Sequence, residues 1–380
     1  MNKYISILLV LVLTSCATGH NDINHRLGLS NFDAKEYPNK DITDGPYLFY
    51  KDGDVIAKWM EKDLLVEKPI SEKKDFRFMK RNFGFELKAE WLKQNQAIDY
   101  KQEFKDVDHF IAISDIHGQY KMFVKILREY NIIDRNNNWI FGNKHLVIVG
   151  DIFDRGDQVN ECLWLVYQLE HQAAELGGRV HYLIGNHEEM ALNKDLRYVN
   201  EKYNPIAEKL DLSYDQLFGK NTVLGQWLRT KPVILQINDV LIVHGGVSPE
   251  FVDKGFKAEE VNKIFTTELI GKTRKEIKQD SVLKFLKGSY GPIWYRGYFG
   301  GKDLTNDKVD YVLDYFGKKN IIVGHSTRES ITTHFGNRIF GVDSRIKGGD
   351  YGEVLIYDKG DFFRGTIKMS VALEREVGDW

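Results

Sequence analysis

The stretch His145 to Asp157, HLVIVGDIFDRGD, constrains this chain more than any other. Leu146 to Val149 is a short, unbroken apolar run, and it reads as a strand buried on both faces. It stops at Gly150 and delivers Asp151, Asp154 and Arg155 to the point where it ends. The same arrangement occurs upstream, where Phe110 to Ile113 runs into Ser114-Asp115-Ile116-His117-Gly118, and downstream, where Val180 to Ile184 runs into Gly185-Asn186-His187-Glu188. Asp115 to Asp151 is 36 residues and Asp151 to Asn186 is 35, each long enough for one helical crossover between parallel strands. Ligands of open α/β sheets bind outside the carboxyl ends of the strands, which is where these side chains should collect.

Two later strands end in the same way: Val240 to Val243 in His244-Gly245-Gly246, and Ile321 to Val323 in Gly324-His325-Ser326. Between the strands, apolar residues recur at helical spacing. Met122, Phe123, Ile126, Leu127 and Tyr130 mark a helix over about 119–130, and Val159, Leu163, Val166 and Leu169 mark another after Asp157. Residues 190–230 read as mainly helical, and 250–288 as an amphipathic, charged cap or lid. Val233 to Ile237 should pair with Val240 to Val243 across Asn238-Asp239. A hairpin around Gly336-Asn337 and a strand from Val354 to Tyr357 complete the body. The expected organisation is a signal segment over 1–15, a tether over 16–45, an N-terminal extension over 46–107 and a catalytic domain over 108–370. Within the extension, Tyr47 to Tyr50 and Val55 to Trp59 flank an Asp-Gly turn and predict a hairpin.

The chain begins with Met1-Asn2-Lys3, a run from Ile5 to Leu13 that is apolar but for Ser6, and Leu13-Thr14-Ser15-Cys16. A basic start and so short an apolar run make an export signal rather than a spanning helix. Leu13 to Cys16 resembles the bacterial lipobox, which implies lipidation of Cys16 and a location on the cell envelope, periplasmic or surface-facing, through a lipid anchor. Cys162 is the second of only two cysteines, so neither an intramolecular disulfide nor a cysteine metal site is available. With 53 basic against 55 acidic residues, there is no electrostatic footprint for nucleic acid.

Five strand ends thus carry Asp115 and His117, Asp151, Asn186 and His187, His244, and His325. On an extended chain i and i+2 project to one side, so Asp115 and His117 can reach one ion together. Carboxylate, imidazole and amide oxygen suit Mn, Fe or Zn rather than calcium. Six such ligands exceed what one catalytic ion needs, whereas two ions sharing a carboxylate would use them all.

In order along the chain, Asp115-x-His117-Gly118, Gly150-Asp-x-x-Asp-Arg-Gly156, Gly185-Asn-His-Glu188, His244-Gly-Gly246 and Gly324-His325 resemble the signature of the calcineurin-like metallophosphoesterases. The Asp-Arg-Gly and Asn-His-Glu forms, with Trp294-Tyr-Arg296 before the last histidine, are most similar to the phosphoprotein phosphatase branch, particularly the bacterial Shewanella-like phosphatases. The resemblance covers about residues 108–358. After His325, Ser326-Thr-Arg-Glu-Ser leads into a hairpin where eukaryotic members carry a terminal signature. The fold implied is an α/β, four-layer α/β/β/α sandwich with two mixed sheets, here with an N-terminal hairpin extension and a helical cap.

By position, the resemblance implies that Asp115, His117 and Asp151 hold a first divalent metal, and Asp151, Asn186, His244 and His325 a second, with Asp151 bridging. Water activated by the two ions would attack phosphorus in line, without a covalent phosphoenzyme. His187, oriented by Asp154, would protonate the leaving oxygen, and Arg155 and Arg296 would hold the phosphate as bidentate forks. The substrate implied is a phosphorylated protein or small phosphoester.

Structural readings compete for several residues. Asp154-Arg155 could be an ion pair and Arg296 a surface residue, while Asp343, which also ends a strand, is read as structural. His20, His25, His109, His145, His171, His181 and His334 are read as core or surface residues. Two other functions stand against phosphomonoester hydrolysis: a nucleotide or dinucleoside-polyphosphate hydrolase on the same fold, and a surface-tethered binding protein with a vestigial site. The second predicts a lost ligand, and none of the metal positions is replaced.

Overall fold

The computed structural model describes residues 42–94, 96–300 and 303–367. Cys16, the signal segment and most of the tether lie outside the described residues. The described chain opens with a three-stranded antiparallel sheet, β1 (Asp44–Lys51), β2 (Asp54–Glu61) and β3 (Leu64–Pro69). Lys51 faces Asp54, so the expected hairpin closes on the two residues Asp52 and Gly53, both at positive φ, as a tight turn matched to strand twist requires. β3 is not legible in the sequence because it is an edge strand, mostly exposed, without apolar alternation.

This sheet is anchored by aromatic residues. Trp59 packs on Phe78 and Phe83, Phe83 on Phe85, and Phe85 stacks on Trp164 with ring centroids 4.8 Å apart. The Trp164 indole N–H donates to the Pro46 carbonyl at 2.9 Å. Trp164 belongs to the helix Val159–Glu175, so the N-terminal segment shares one core with the rest of the body.

The remaining strands are β4 (Glu103–Phe104), β5 (His109–Ile113), β6 (His145–Ile148), β7 (Arg179–Tyr182), β8 (Ile234–Ile237), β9 (Val240–Val243), β10 (Asn320–Val323), β11 (Thr332–His334), β12 (Ile339–Gly341), β13 (Glu353–Asp358) and β14 (Asp361–Thr366). They form two mixed sheets, ordered β14-β13-β5-β6-β7 and β11-β12-β10-β9-β8-β4. Strands β5, β6 and β7 are parallel, as are β9, β10 and β12. The hairpin strands β8, β11, β13 and β14 supply the antiparallel pairs.

The sheets pack face to face. Phe110, Ala112, Val147 and Val149 meet Leu235, Ile237, Val240, Ile242 and Ile322 between them. The alternate residues Ile111, Ile113, Leu146 and Ile148 turn outward into the core that holds Met122, Phe123, Leu163 and Val166 of the helices Tyr120–Glu129 and Val159–Glu175. Burial on both faces is why these strands read as unbroken apolar runs.

Register brings the strand ends together. Ile113 lies opposite Ile148 and Ile148 opposite Tyr182 in one sheet, and Ile242 opposite Ile322 in the other. Backbone bonds then join the loops beyond: Asp115 N–H to Gly150 O at 3.1 Å within the first sheet, and Gly324 N–H to His244 O at 2.8 Å within the second. Across 250–288 the chain forms short helices, Pro249–Asp253, Ala258–Ile264, Arg274–Gln279 and Ser281–Leu286, with a π-helical turn at Phe265–Leu269. This segment is fastened to the body. Lys287 pairs with the buried Glu189, and Asn262 Oδ1 accepts the N–H groups of Val233 and Ile234, each at 2.9 Å.

Candidate metal centre and active site

The loops carrying the site are wound tightly. Asp115, His117, Asp151, Asp154, Arg155 and His325 all have positive φ, between 46° and 69°. Asp, Asn and His tolerate that region better than most residues, and such backbone is held where surrounding structure over-determines it. Close approach does the over-determining here. A Cβ on Gly185 would stand 2.2 Å from Asp151 Oδ1, and one on Gly324 would stand 2.0 Å from Ser114 Oγ. The glycines that terminate these strands let the loops interlock.

Asp151 lies at the centre. Its Oδ1 accepts the His187 backbone N–H at 3.0 Å, which leaves Oδ2 facing three imidazoles. His244 Nε2 is 3.2 Å from Oδ2, His117 Nε2 3.7 Å and His187 Nε2 3.9 Å. Asp115 Oδ2 accepts from Ser114 Oγ at 2.6 Å and from the His325 N–H at 2.9 Å, while its Oδ1 lies 3.8 Å from His117 Nε2. Asn186 Oδ1 is 3.0 Å from His244 Nε2. Ligand-capable atoms of Asp151, His244 and His325 fall within 4.8 Å of one another, and so do those of His117, Asp151 and His187. The structure therefore brings together all six residues expected as metal ligands, and His187 with them.

Two of the imidazoles are fixed from behind. His117 Nδ1 is 2.7 Å from the Phe153 carbonyl, and His244 Nδ1 is 2.6 Å from the Val149 carbonyl. A carbonyl only accepts, so Nδ1 carries the hydrogen and Nε2 is turned toward the carboxylates, the usual second partner of a metal-binding histidine. His325 Nε2 is buried with no hydrogen-bond partner. Burial, together with the nearby His244 and Arg296, lowers the His325 pKa to about 2, and burial lowers that of His117 to about 3 against the pull of Asp151. Burial thus favours the neutral ring at both, the form a ligand needs. At His244, by contrast, burial is outweighed by Asp151, which raises its pKa to about 10, so a cation bound there would displace a proton. Burial first, then the charges of Asp343 and Asp151, push the Asp115 carboxyl well above its ordinary range. Crowded buried carboxylates beside imidazoles and an orphaned ring nitrogen form a donor set that fits divalent cations.

His187 differs from its neighbours. Its Nδ1 meets a carboxylate rather than a carbonyl, Asp154 Oδ2 at 2.6 Å. Burial opposes its protonation, but Asp151 and Asp154 outweigh burial and raise its pKa above the usual value. Asp154 is fully buried, and burial raises its pKa although His187 opposes this.

The arginines stand at the rim, both exposed. Arg296 donates from Nη1 to the His325 carbonyl at 2.8 Å. Arg155 lies over the Tyr198 ring at 5.2 Å, and its N–H donates to the Tyr198 carbonyl at 2.9 Å. No ion pair joins Asp154 to Arg155 among the described residues; Asp154 is committed to His187. Tyr198 itself lies 5.3 Å from the His187 ring, between centroids, and no sequence pattern marked it. Asp343 is buried behind the site, where its Oδ2 accepts from Thr327 Oγ1 at 2.6 Å. Its strand-end position was the available signal.

The chain matches the calcineurin-like phosphoesterase family over residues 109–329. A crystal structure of the cold-active protein-tyrosine phosphatase of a psychrophilic Shewanella species is 36% identical, with a TM-score of 0.79, and the match covers 87% of this chain and 99% of that one. Shewanella-like protein phosphatase 1 of Plasmodium berghei is 29% identical over 250 residues, 62% of this chain and 66% of that protein, just under two thirds of its length. A symmetrical bis(5'-nucleosyl)-tetraphosphatase of Chromobacterium violaceum is 33% identical over 154 residues, covering 40% of this chain and 48% of that protein. With the family match spanning more than half of its length, this chain belongs to the calcineurin-like phosphoesterases.

Proposed function

We propose that this protein hydrolyses phosphomonoesters of protein side chains, phosphotyrosine among them, at a centre where Asp151 and its neighbours would hold two divalent metals. The observation that carries the reading is the position of Asp151 Oδ2, with His117 Nε2 at 3.7 Å and His244 Nε2 at 3.2 Å and the His187–Asp154 pair beside them. Asp115, His117 and Asp151 would hold one ion, and Asp151, Asn186, His244 and His325 the other; Mn, Fe and Zn all suit these donors. When bound, the ions supply Lewis-acid charge for the phosphate and make water acidic enough to serve as nucleophile near neutral pH.

The chain's own groups do the rest. Asp154 Oδ2 takes the Nδ1–H of His187, which leaves Nε2 to carry the proton that the departing oxygen needs. Arg155 and Arg296, both at the rim, would offer planar forks to the nonbridging phosphate oxygens, a geometry lysine could not reproduce. The Shewanella enzyme's name as a protein-tyrosine phosphatase, at 36% identity over nearly its whole length, supports phosphotyrosyl peptides as substrates.

At the N-terminus, Leu13 to Cys16 supports a lipid-anchored protein of the bacterial envelope, periplasmic or surface-facing, with a tether separating body from membrane. The functional reading is tested by a phosphoester panel with added Mn, Zn or Fe. Hydrolysis of phosphotyrosyl or phosphoseryl peptides and small monoesters is expected. Activity confined to nucleotides or dinucleoside polyphosphates would overturn it.

A further inference from the structure

A cavity of about 380 Å³ lies between the N-terminal segment and the helices Val159–Glu175 and Val223–Leu228, and it shares no lining residue with the phosphatase site. Its volume is within the range of small-molecule sites. Its charged lining residues are Lys93, Lys220 and Arg229; neither aspartate nor glutamate lines it. None of the three has an ion-pair partner within 4.0 Å among the described residues. The carboxylate whose charge reaches Arg229 is Asp215, and that group is engaged by Lys194 at 3.5 Å and by Ser213 Oγ at 2.6 Å. Arg229 Nη1 donates to the carbonyls of Phe218 and Gly225, each at 2.7 Å. Its Nε is buried with no partner.

The other walls are aromatic, and their polar ends are already occupied. Tyr50 Oη donates to Leu92 O at 3.2 Å, Tyr167 Oη to Trp91 O, and Trp227 Nε1 to Glu170 Oε2 at 2.9 Å. What these residues offer the cavity is ring carbon, and Val223 and Ile98 add aliphatic surface. Thr266 reaches the cavity from the π-helical turn Phe265–Leu269, a distortion frequent at functional sites.

We propose that this cavity is a second binding site, for a small planar aromatic molecule carrying an anionic group. Ring edges accept another ring edge-to-face, while three cations without carboxylate partners accept the anion. A cationic ligand would meet like charge from all three, and a neutral aromatic would gain nothing from them.

Isothermal titration of the full chain with 1-naphthalenesulfonate, which no phosphatase can hydrolyse, tests the proposal. One equivalent should bind, and Lys93→Glu combined with Lys220→Glu should weaken binding at least tenfold. Both lysines are exposed, so the double variant should fold and hydrolyse nitrophenyl phosphate as the parent does. Naphthalene-1-methanol, with the same ring and no charge, should bind at least tenfold more weakly than the sulfonate. A saturating amount of sulfonate should leave KM for nitrophenyl phosphate unchanged. Absence of saturable binding, unchanged affinity in the double variant, or competitive inhibition of hydrolysis would each overturn the proposal.

Discussion

Glu188 holds the Asp151 loop in place: its Oε2 accepts the Asp151 N–H at 2.8 Å, although the two residues lie 37 positions apart with the helix Val159–Glu175 between them. The same carboxylate accepts from Ile152 N–H at 2.7 Å, Phe153 N–H at 3.2 Å, Gly185 N–H at 2.8 Å and Tyr182 Oη at 2.8 Å. The loop that carries Asp151 at positive φ is thus tied to the loop carrying Asn186 and His187 by one buried acid.

Glu188→Gln should therefore loosen both loops at once. The amide puts an NH₂ where only acceptors are wanted, and hydrogen bonds to a charged group are worth about 1.5–3 kcal/mol each. We expect a loss of stability of a few kcal/mol and reduced metal retention. Tyr182→Phe removes one donor and should cost about 1 kcal/mol with metal content intact. Denaturant titration and elemental analysis of the two variants separate these outcomes; normal metal content in Glu188→Gln would contradict the tie.

His187 is the histidine of the site paired through Nδ1 to a carboxylate, and its removal should be read in the leaving group. Loss of a general acid costs ~10²–10⁴-fold, most where the departing oxygen is basic. His187→Ala should keep its metals, lose most activity on phosphoserine-like esters and lose clearly less on nitrophenyl phosphate. Asp154→Asn should show the same dependence in weaker form. His244→Ala should lose metal and fail on both esters alike. Equal losses on both esters for His187→Ala would make it a ligand or a structural residue instead.

The five strand ends were legible in the sequence because each is a short apolar run closed by glycine or a polar residue, and burial between two layers demands such runs. What the sequence hides is contact across the sheets. Glu188 marks a phosphatase branch by motif, but its partners are backbone groups of a loop 35 to 37 residues away. β14 escaped because Asp361–Thr366 is mostly half-buried edge, with no alternation to read. Tyr198 sits beside His187 through the fold of a loop that carries no periodic signal.

Asp75 offers a pH test away from the site. It is the third residue of the helix Lys73–Phe83, and its carboxylate accepts from Lys68 Nζ at 2.5 Å and from the Glu72 N–H at 2.9 Å. Lys68 and then Glu72 hold its pKa down to about 2, against about 3.9 in an unfolded chain. A depressed carboxylate stabilises the fold above its unfolded pKa, and that contribution fades as pH falls from about 4 through 2. Lys68 is partly exposed, so the contribution is discounted to about 1–2 kcal/mol. Asp75→Asn should be less stable than the parent by that amount at pH 7, and the gap should close near pH 2 in denaturant titrations.

The envelope reading rests on Cys16. A single acyl chain anchors marginally, whereas a diacylated N-terminus anchors stably. Cys16→Ser should release the protein from membranes or leave an uncleaved precursor, seen by fractionation and by mass. Unaltered size and membrane association would contradict the lipobox.

The central claim is a pair of metals sharing Asp151, and metal stoichiometry measured on fully active protein tests it most directly. Elemental analysis alongside specific activity should give two divalent ions per chain, with Asp151→Asn losing metal and nearly all activity together. One ion or none per chain at full activity would contradict the account.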